Sequence, residues 1–379
     1  MLTMLFASCF GLSAQSETKY ERGATYLENT VPPSPEPASI VKYADVPFTH
    51  SAGMAEYDVP FYTLQSRELS IPIGLHYASG GIKLDEIAGV AGLGWTLQAG
   101  GCITRTVMDM PDEYVPLSGP FRHEMPSGSL LEDLESMEEN TATLNFLRDV
   151  VWNRVDVGLD RYSYSVCGLS GSFVIQDDGT VFQLSGDGVL IDYVRDAESG
   201  SVDVFTLTGP DGIVYTFSVK ELASRDGRGM TSTGPMNGKL DKWTAPTAWH
   251  LTQMRSRSGL ETAEFTYSEP AQWNRSERTV IETMSYDTGK EIITPDRSVS
   301  SRNVISVYEA RVLTGISLNG HTVSFEYDKS FGSRYYSDSS YSQQNFPFRL
   351  NRISVHISGI PVEVCSMKAY TAQAPFDGR

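Results

Sequence analysis

The fold is decided by residues 66–107, SRELSIPIGLHYASGGIKLDEIAGVAGLGWTLQAGGCITRTV. Its first part alternates: Leu69, Ile71, Ile73, Leu75 and Tyr77 share one side, Ser70, Pro72, Gly74 and His76 the other. Successive strand side chains point to opposite faces, so this is a half-buried β-strand. Ala78-Ser79-Gly80-Gly81 supplies turn chemistry. A second strand places Leu93, Trp95 and Leu97 on one side, with Gly92 and Gly94 opposite. After the Gly100-Gly101 turn, Ile103, Arg105 and Val107 begin a third. A strand glycine costs roughly 0.5–1 kcal/mol relative to alanine. Repeated beside a tryptophan, it marks a close approach of backbone or ring. The glycines are therefore read as packing positions around a buried Trp95.

Composition narrows the possibilities. The 379 residues carry a net charge of −17, which argues against a nucleic-acid surface or a basic membrane patch. Hydrophobic residues make up 40%, enough for a sizeable core. Residues 1–14 (MLTMLFASCFGLSA) read as a secretory signal peptide, with a small-residue cleavage pattern but no positive n-region. Residues 15–60 form a leader containing the proline-dense VPPSPEP at 31–37. No later stretch is long and apolar enough to span a bilayer as a helix. Signal removal takes Cys9 and leaves Cys102, Cys167 and Cys365, whose spacing suits neither a disulfide framework nor a metal site. They are expected to be buried thiols acting as small hydrophobes, the alternative being one bridge and one free thiol in an oxidising compartment.

Along the chain, 61–225 read as a β-rich domain interrupted at 129–150 by one helical segment. There Leu130, Leu131, Leu134, Met137, Leu144, Phe146, Leu147 and Val150 recur at helical spacing. Asp178-Gly179 and Asp211-Gly212 sit between apolar alternating runs and read as hairpin turns with both central residues at positive φ. Residues 226–246 read as loop. Residues 247–379 read as a loose repeat of strand, glycine turn, strand. The turns are Ser258-Gly259, Asn319-Gly320 and Ser358-Gly359, and two units end in Phe265/Tyr267 and Phe325/Tyr327. Polar inserts at 268–303 and 330–345 separate the units. Because the chain ends just after such a unit, the expectation is a truncated or longer design.

The run Gly92-Leu93-Gly94-Trp95-Thr96-Leu97, followed by Ala99-Gly100-Gly101 and Ile103-Thr104-Arg105, resembles the N-terminal region of secreted Rhs (YD-repeat) proteins. It is also similar to the GLGW segment of insecticidal toxin complex B components. The segments GLSGSFVIQDDGTVFQL and Tyr327-Asp328 add to the resemblance. It implies a mainly β fold, an extended antiparallel meander of hairpin repeats forming part of a shell. Gly92, Gly94, Trp95, Gly100, Gly101 and Arg105 are then structural motif residues. It further implies a non-catalytic exported scaffold, secreted or at the cell surface, that encloses or displays a C-terminal toxin or effector of the same or a partner chain. The alternative is a surface module binding a glycan or a protein.

No reaction chemistry is legible. The histidines at 50, 76, 123, 250, 321 and 356 form no HExxH or HxH pattern. Residues 89–94 (GVAGLG) precede a strand where a phosphate-binding loop needs a helix. Asp85-Glu86 would face opposite ways in a strand and have no partner acid. Cys102 lacks an identifiable base, and Asp177-Asp178-Gly179 is explained by its turn. No cofactor or metal is expected. The 19 tyrosines are either sugar-stacking platforms or good strand formers.

Overall fold

The computed structural model describes residues 48–49, 54–79, 88–108, 110–113, 122–124, 132, 141–151, 155–185, 188–231, 234–235, 242–285, 296–329, 333–335, 342–344 and 347–366. The signal peptide, most of the leader, Asp85-Glu86 and most of 129–140 lie outside them. The chain divides into two compact units, residues 1–57 and 58–379. In the first, strand β1 (Phe48–Thr49) pairs with the start of β2 (Met54–Gln65).

The fold of the second unit is mainly β and antiparallel. Strand β3 (Ser70–Ser79) buries Ile71 and Ile73 and exposes Ser70 and Pro72, as its alternation requires. It pairs with β4 (Trp95–Gln98), placing Tyr77 opposite Trp95. Strand β5 (Gly101–Thr106) follows. Two short strands, β6 (Arg122–His123) and β7 (Val155–Asp156), pair in parallel on either side of helix α1 (Thr141–Val151) in sequence. Two meanders come next: β8 (Arg161–Val166), β9 (Leu169–Ile175) and β10 (Val181–Ser185), then β11 (Leu190–Arg195), β12 (Val202–Thr208) and β13 (Val214–Thr231). After β14 (Gly234–Pro235), β15 (Lys242–Arg255) leads into the hairpin region. That region comprises β16 (Thr262–Tyr267), β17 (Ala271–Ser285), β18 (Asp296–Ala310), β19 (Leu313–Leu318), β20 (His321–Lys329), β21 (Ser333–Tyr335), β22 (Ser342–Gln344), β23 (Phe348–Ile357) and β24 (Ile360–Ser366).

Strand β15 is the junction. One edge pairs with β13 from Arg255 back to Lys242. The other pairs with β5 at Ala248–His250 and with β16 at Gln253–Arg255. The sheet therefore branches, one arm running β5-β8-β9-β10 and the other β16-β19-β20-β23-β24. Aromatic rings from several branches meet in the core. Phe205 of β12 lies edge-on to Trp249 of β15 at 5.0 Å and to Phe173 of β9 at 5.7 Å. Tyr162 of β8 stacks on Phe173 at 5.2 Å. Tyr193 of β11 donates its hydroxyl to the Gly179 carbonyl at 2.8 Å, tying β11 to the β9–β10 turn.

Several local expectations are corrected. Gly92 and Gly94 do not lie in a strand; they sit in a turn at φ 118° and 73°, and the strand starts at Trp95. Trp95 is half-buried and absent from the core, whereas Trp249 is fully buried with its indole N–H donated to the Val202 carbonyl. The reason is position: β4 is four residues long, while β15 is covered by both branches. In α1, Thr143 and Phe146 are buried and Leu144 is exposed, so the apolar stripe is rotated from the one expected. At Asp178-Gly179 and Asp211-Gly212 only the glycines have positive φ. The hydrogen bonds from Gly179 N to Gln176 O and from Gly212 N to Gly209 O close a turn in which the aspartate keeps ordinary right-handed geometry. The stretch 226–246 is not all loop, because β13 and β15 extend into it and pair there. The insert at 268–303 is largely a ribbon, with β17 and β18 paired from Ala271↔Ala310 to Ser285↔Asp296. Cys102, Cys167 and Cys365 are free but only half-buried, and Cys167 occupies a hairpin tip. Among the described residues, no helix is long and apolar enough to cross a membrane.

Candidate functional site

The motif glycines meet different neighbours. A Cβ on Gly94 would lie 2.9 Å from the Tyr77 ring, and one on Gly101 would lie 2.6 Å from Val166 Cβ. One on Gly100 would lie 3.3 Å from the Phe265 ring, so this turn touches the first hairpin unit. Gly92 faces only Trp95 Cδ1, at 3.7 Å, and its φ of 118° is what excludes a side chain there. The Gly89–Gly92 turn is fastened to β23, since Leu350 N donates to the Val90 carbonyl at 2.8 Å. Trp95 pairs with Tyr77 among the described residues, with ring centroids 5.0 Å apart at 50°.

Arg105 is the motif residue with the densest polar surroundings. It shares the inward side of β5 with Ile103, and its guanidinium is fully enclosed. A charge at a core position requires partners. Nε donates to Asp160 Oδ2 at 2.7 Å, Nη2 also contacts Asp160, and Nη1 donates to Glu113 Oε1 at 2.8 Å. Its Cζ lies 5.7 Å from the Tyr162 ring centroid. Burial opposes the charge on Arg105, but Glu113 and Asp160 hold it firmly protonated.

The carboxylates also organise the loop after β5. Asp160 accepts Met108 N at 2.7 Å and Asp112 N at 3.2 Å. Asp112 in turn accepts Asp160 N, and Asp156 accepts Met110 N and Gly158 N. His123 joins them, with Nε2 3.1 Å from Asp177 Oδ1 and a buried Nδ1 that makes no hydrogen bond, 3.9 Å from Asp112 and 4.0 Å from Asp156. Burial, and then Asp160, push the Asp112 carboxyl up to about 7. Burial also raises Asp160, beyond what Arg105 offsets. For Glu113 burial works upward, but the hydrogen bonds and charge of Arg105 win and the carboxyl is held low. Acids thus converge, but on one guanidinium and on backbone amides, which is the chemistry of a loop lock.

Only Arg105 among these residues was singled out from the sequence. His123 was noted only as one of six scattered histidines, and Asp112, Glu113, Asp156 and Asp160 were not noted; Asp160 lies 55 residues from Arg105, and Glu113 lies in the loop that follows it. The available signal was the charged residue itself at an inward strand position. The other candidates stand apart from the cluster. His76 pairs with Asp58 at 2.7 Å, and Asp178 caps its own turn by accepting Thr180 N. Burial pushes the Cys102 thiol up to about 11, so little thiolate forms at neutral pH.

The hairpin units share a second arrangement. Tyr267, ending β16, donates its hydroxyl to the Leu251 carbonyl of β15 at 2.8 Å. Tyr327, in β20, donates to the Leu313 carbonyl of β19 at 2.6 Å. In each unit the tyrosine of the second strand reaches back to the first strand. At the opposite end the tips are joined. Ser358 N donates to Gly320 O at 2.9 Å, and Glu261 accepts Asn319 Nδ2 at 3.0 Å and Ser66 Oγ at 2.6 Å.

Comparison with known proteins found no match among protein-family models, curated proteins or solved structures.

Proposed function

We propose that the chain is a non-catalytic structural part of an exported Rhs/YD-repeat protein, forming the start of a β-sheet shell that encloses or displays a C-terminal effector. The observation that carries this reading is the repeated tyrosine-to-carbonyl bond. Tyr267 and Tyr327 fix successive hairpins by the same contact, so each unit is closed internally and stacks on the next. The inward faces support it: Phe265, Ile316, Leu318, Val323, Phe325, Ile353 and Val355 form one continuous buried surface across four strands. The motif stretch 89–101 meets that stack through Val90 and Gly100, which flank the GLGW segment on either side.

The test is limited proteolysis of the exported product of the complete gene. The reading expects residues 58–366 and any following hairpins to survive as one resistant body that protects a downstream segment. Rapid cleavage between β16 and β19, or a downstream segment digested as fast as the isolated segment, contradicts it. The half-exposed Tyr77–Trp95 pair favours the second reading, a glycan-binding module. Saturable binding on a glycan array, lost in Tyr77→Ala and Trp95→Ala, would establish that reading in place of the first.

A further inference from the structure

A cavity of about 520 Å³ opens where β5, β13, β15 and β18 come together. Its size falls within the roughly 300–1,000 Å³ typical of small-molecule sites. Arg225, Trp243, Tyr308, Ser224 and Ser306 line it together with Arg105. Three observations define what it would accept.

First, its charge is one-signed. Among the described residues two arginines line it and no aspartate or glutamate does, in a chain that carries 47 acids against 30 lysines and arginines. Arg105 is neutralised by Asp160 and Glu113. Arg225 is half-buried and makes no ion pair among the described residues, so it is the free cation of the cavity.

Second, a donor is left over. Trp243 is 7% exposed, and its buried indole Nε1–H has no hydrogen-bond partner. An unpaired buried donor costs about 1–3 kcal/mol, so the site is improved by an acceptor there. The core tryptophan shows the contrast, because Trp249 gives its N–H to the Val202 carbonyl.

Third, the wall is partly apolar. Trp243 packs with Met110, Ala223 and Ala245 in a small second core that Val107 and Tyr308 border. Tyr308 is itself held by stacking on Trp273, with ring centroids 4.9 Å apart. A rigid aromatic wall, an indole N–H and an unpaired guanidinium together suit a planar carboxylate joined to an apolar body.

We propose that this cavity is a binding site for a partly apolar monocarboxylate, with Arg225 as the carboxylate donor and the Trp243 N–H, which is closed to solvent here and must turn toward the cavity, as the second. The same chemistry occurs in a peptide C-terminus and in a free fatty acid. The proposal does not depend on the shell reading, since a scaffold and a free-standing module could both carry it.

Isothermal titration of the purified chain, with tryptophan fluorescence as a second readout, tests the site. The probes are N-acetylphenylalanine against its amide, and octanoate against octanol. Saturable binding is expected for at least one carboxylate, with its neutral partner at least about tenfold weaker. Preference for N-acetylphenylalanine identifies a peptide terminus, and preference for octanoate a fatty acid. Arg225→Gln and Trp243→Phe should each weaken carboxylate binding by about fivefold or more, with an unchanged melting transition. Arg225→Gln sits at a half-exposed position and serves if Trp243→Phe fails to fold. Equal binding of acid and neutral partner, no saturation by about 10 mM, or full binding by Arg225→Gln overturns the proposal.

Discussion

Asp160, with no exposed surface, accepts the Nε–H of Arg105 at 2.7 Å across 55 residues of sequence. The pair joins the inward face of β5 to the segment preceding β8 and fixes the loop between Met108 and Glu113. Removing one partner strands the other charge in the interior. Asp160→Ala should cost about 3–5 kcal/mol in urea unfolding. A loss below about 1 kcal/mol would mean that solvent reaches the pair and no lock exists.

The tyrosine bonds between hairpin strands are separately testable. Tyr267→Phe and Tyr327→Phe remove one hydroxyl each and with it the bond to the Leu251 or Leu313 carbonyl. Each should destabilise by about 1 kcal/mol. Phenylalanine variants as stable as the parent would remove the main support for the repeat reading.

Acid should stabilise the loop lock through Asp112. Its folded carboxyl titrates at about 7, above the usual carboxylate range, so the folded state holds this proton more tightly than the unfolded chain. The contribution is full below about pH 4 and is lost as pH rises through about 7. Between pH 5 and 8 the parent should lose on the order of 1–3 kcal/mol that Asp112→Asn does not. Parallel pH profiles for the two proteins would dismiss the effect.

The two tryptophans should differ sharply. Trp249→Ala empties a fully buried site and should cost about 3–5 kcal/mol. Trp95 is half-buried against Tyr77, so Trp95→Ala should cost about 1–2 kcal/mol. Thermal unfolding of both variants checks the order; a larger loss at Trp95 would restore it to the core.

The tip at Ser358-Gly359 holds Ser358 at φ 50°, a left-handed position that asparagine adopts more readily than serine. Ser358→Asn should raise stability by about 0.5 kcal/mol, toward the Asn319-Gly320 tip of the neighbouring unit. A decrease would show that the serine side chain has a partner worth more than the strain.

Much of the fold was legible because strand alternation and turn chemistry are local. Ile71 and Ile73 face inward as their spacing requires, and Asn319-Gly320 turns with both residues at positive φ. The Asp-Gly sites were recognised as turns, but their geometry was not, since a glycine alone can close the turn Gln176–Gly179. The insert at 268–303 was legible only as a polar stretch between units, while β17 and β18 form a ribbon there through their backbones.

What the sequence determined by itself is a mainly β chain of hairpins with glycine-bearing turns. These follow from side-chain period and allowed φ, which each residue carries with it. What only the tertiary structure decided is which tryptophan is core, which acids meet Arg105, and where Trp243 leaves a donor beside Arg225. Each of those depends on strands far apart in sequence meeting at β15, and burial is a property of that meeting. In residues 66–107, glycine and tryptophan were visible from the start. That Arg105 is a buried charge, and Trp95 a half-exposed rim, follows from how β5 is enclosed and β4 is not.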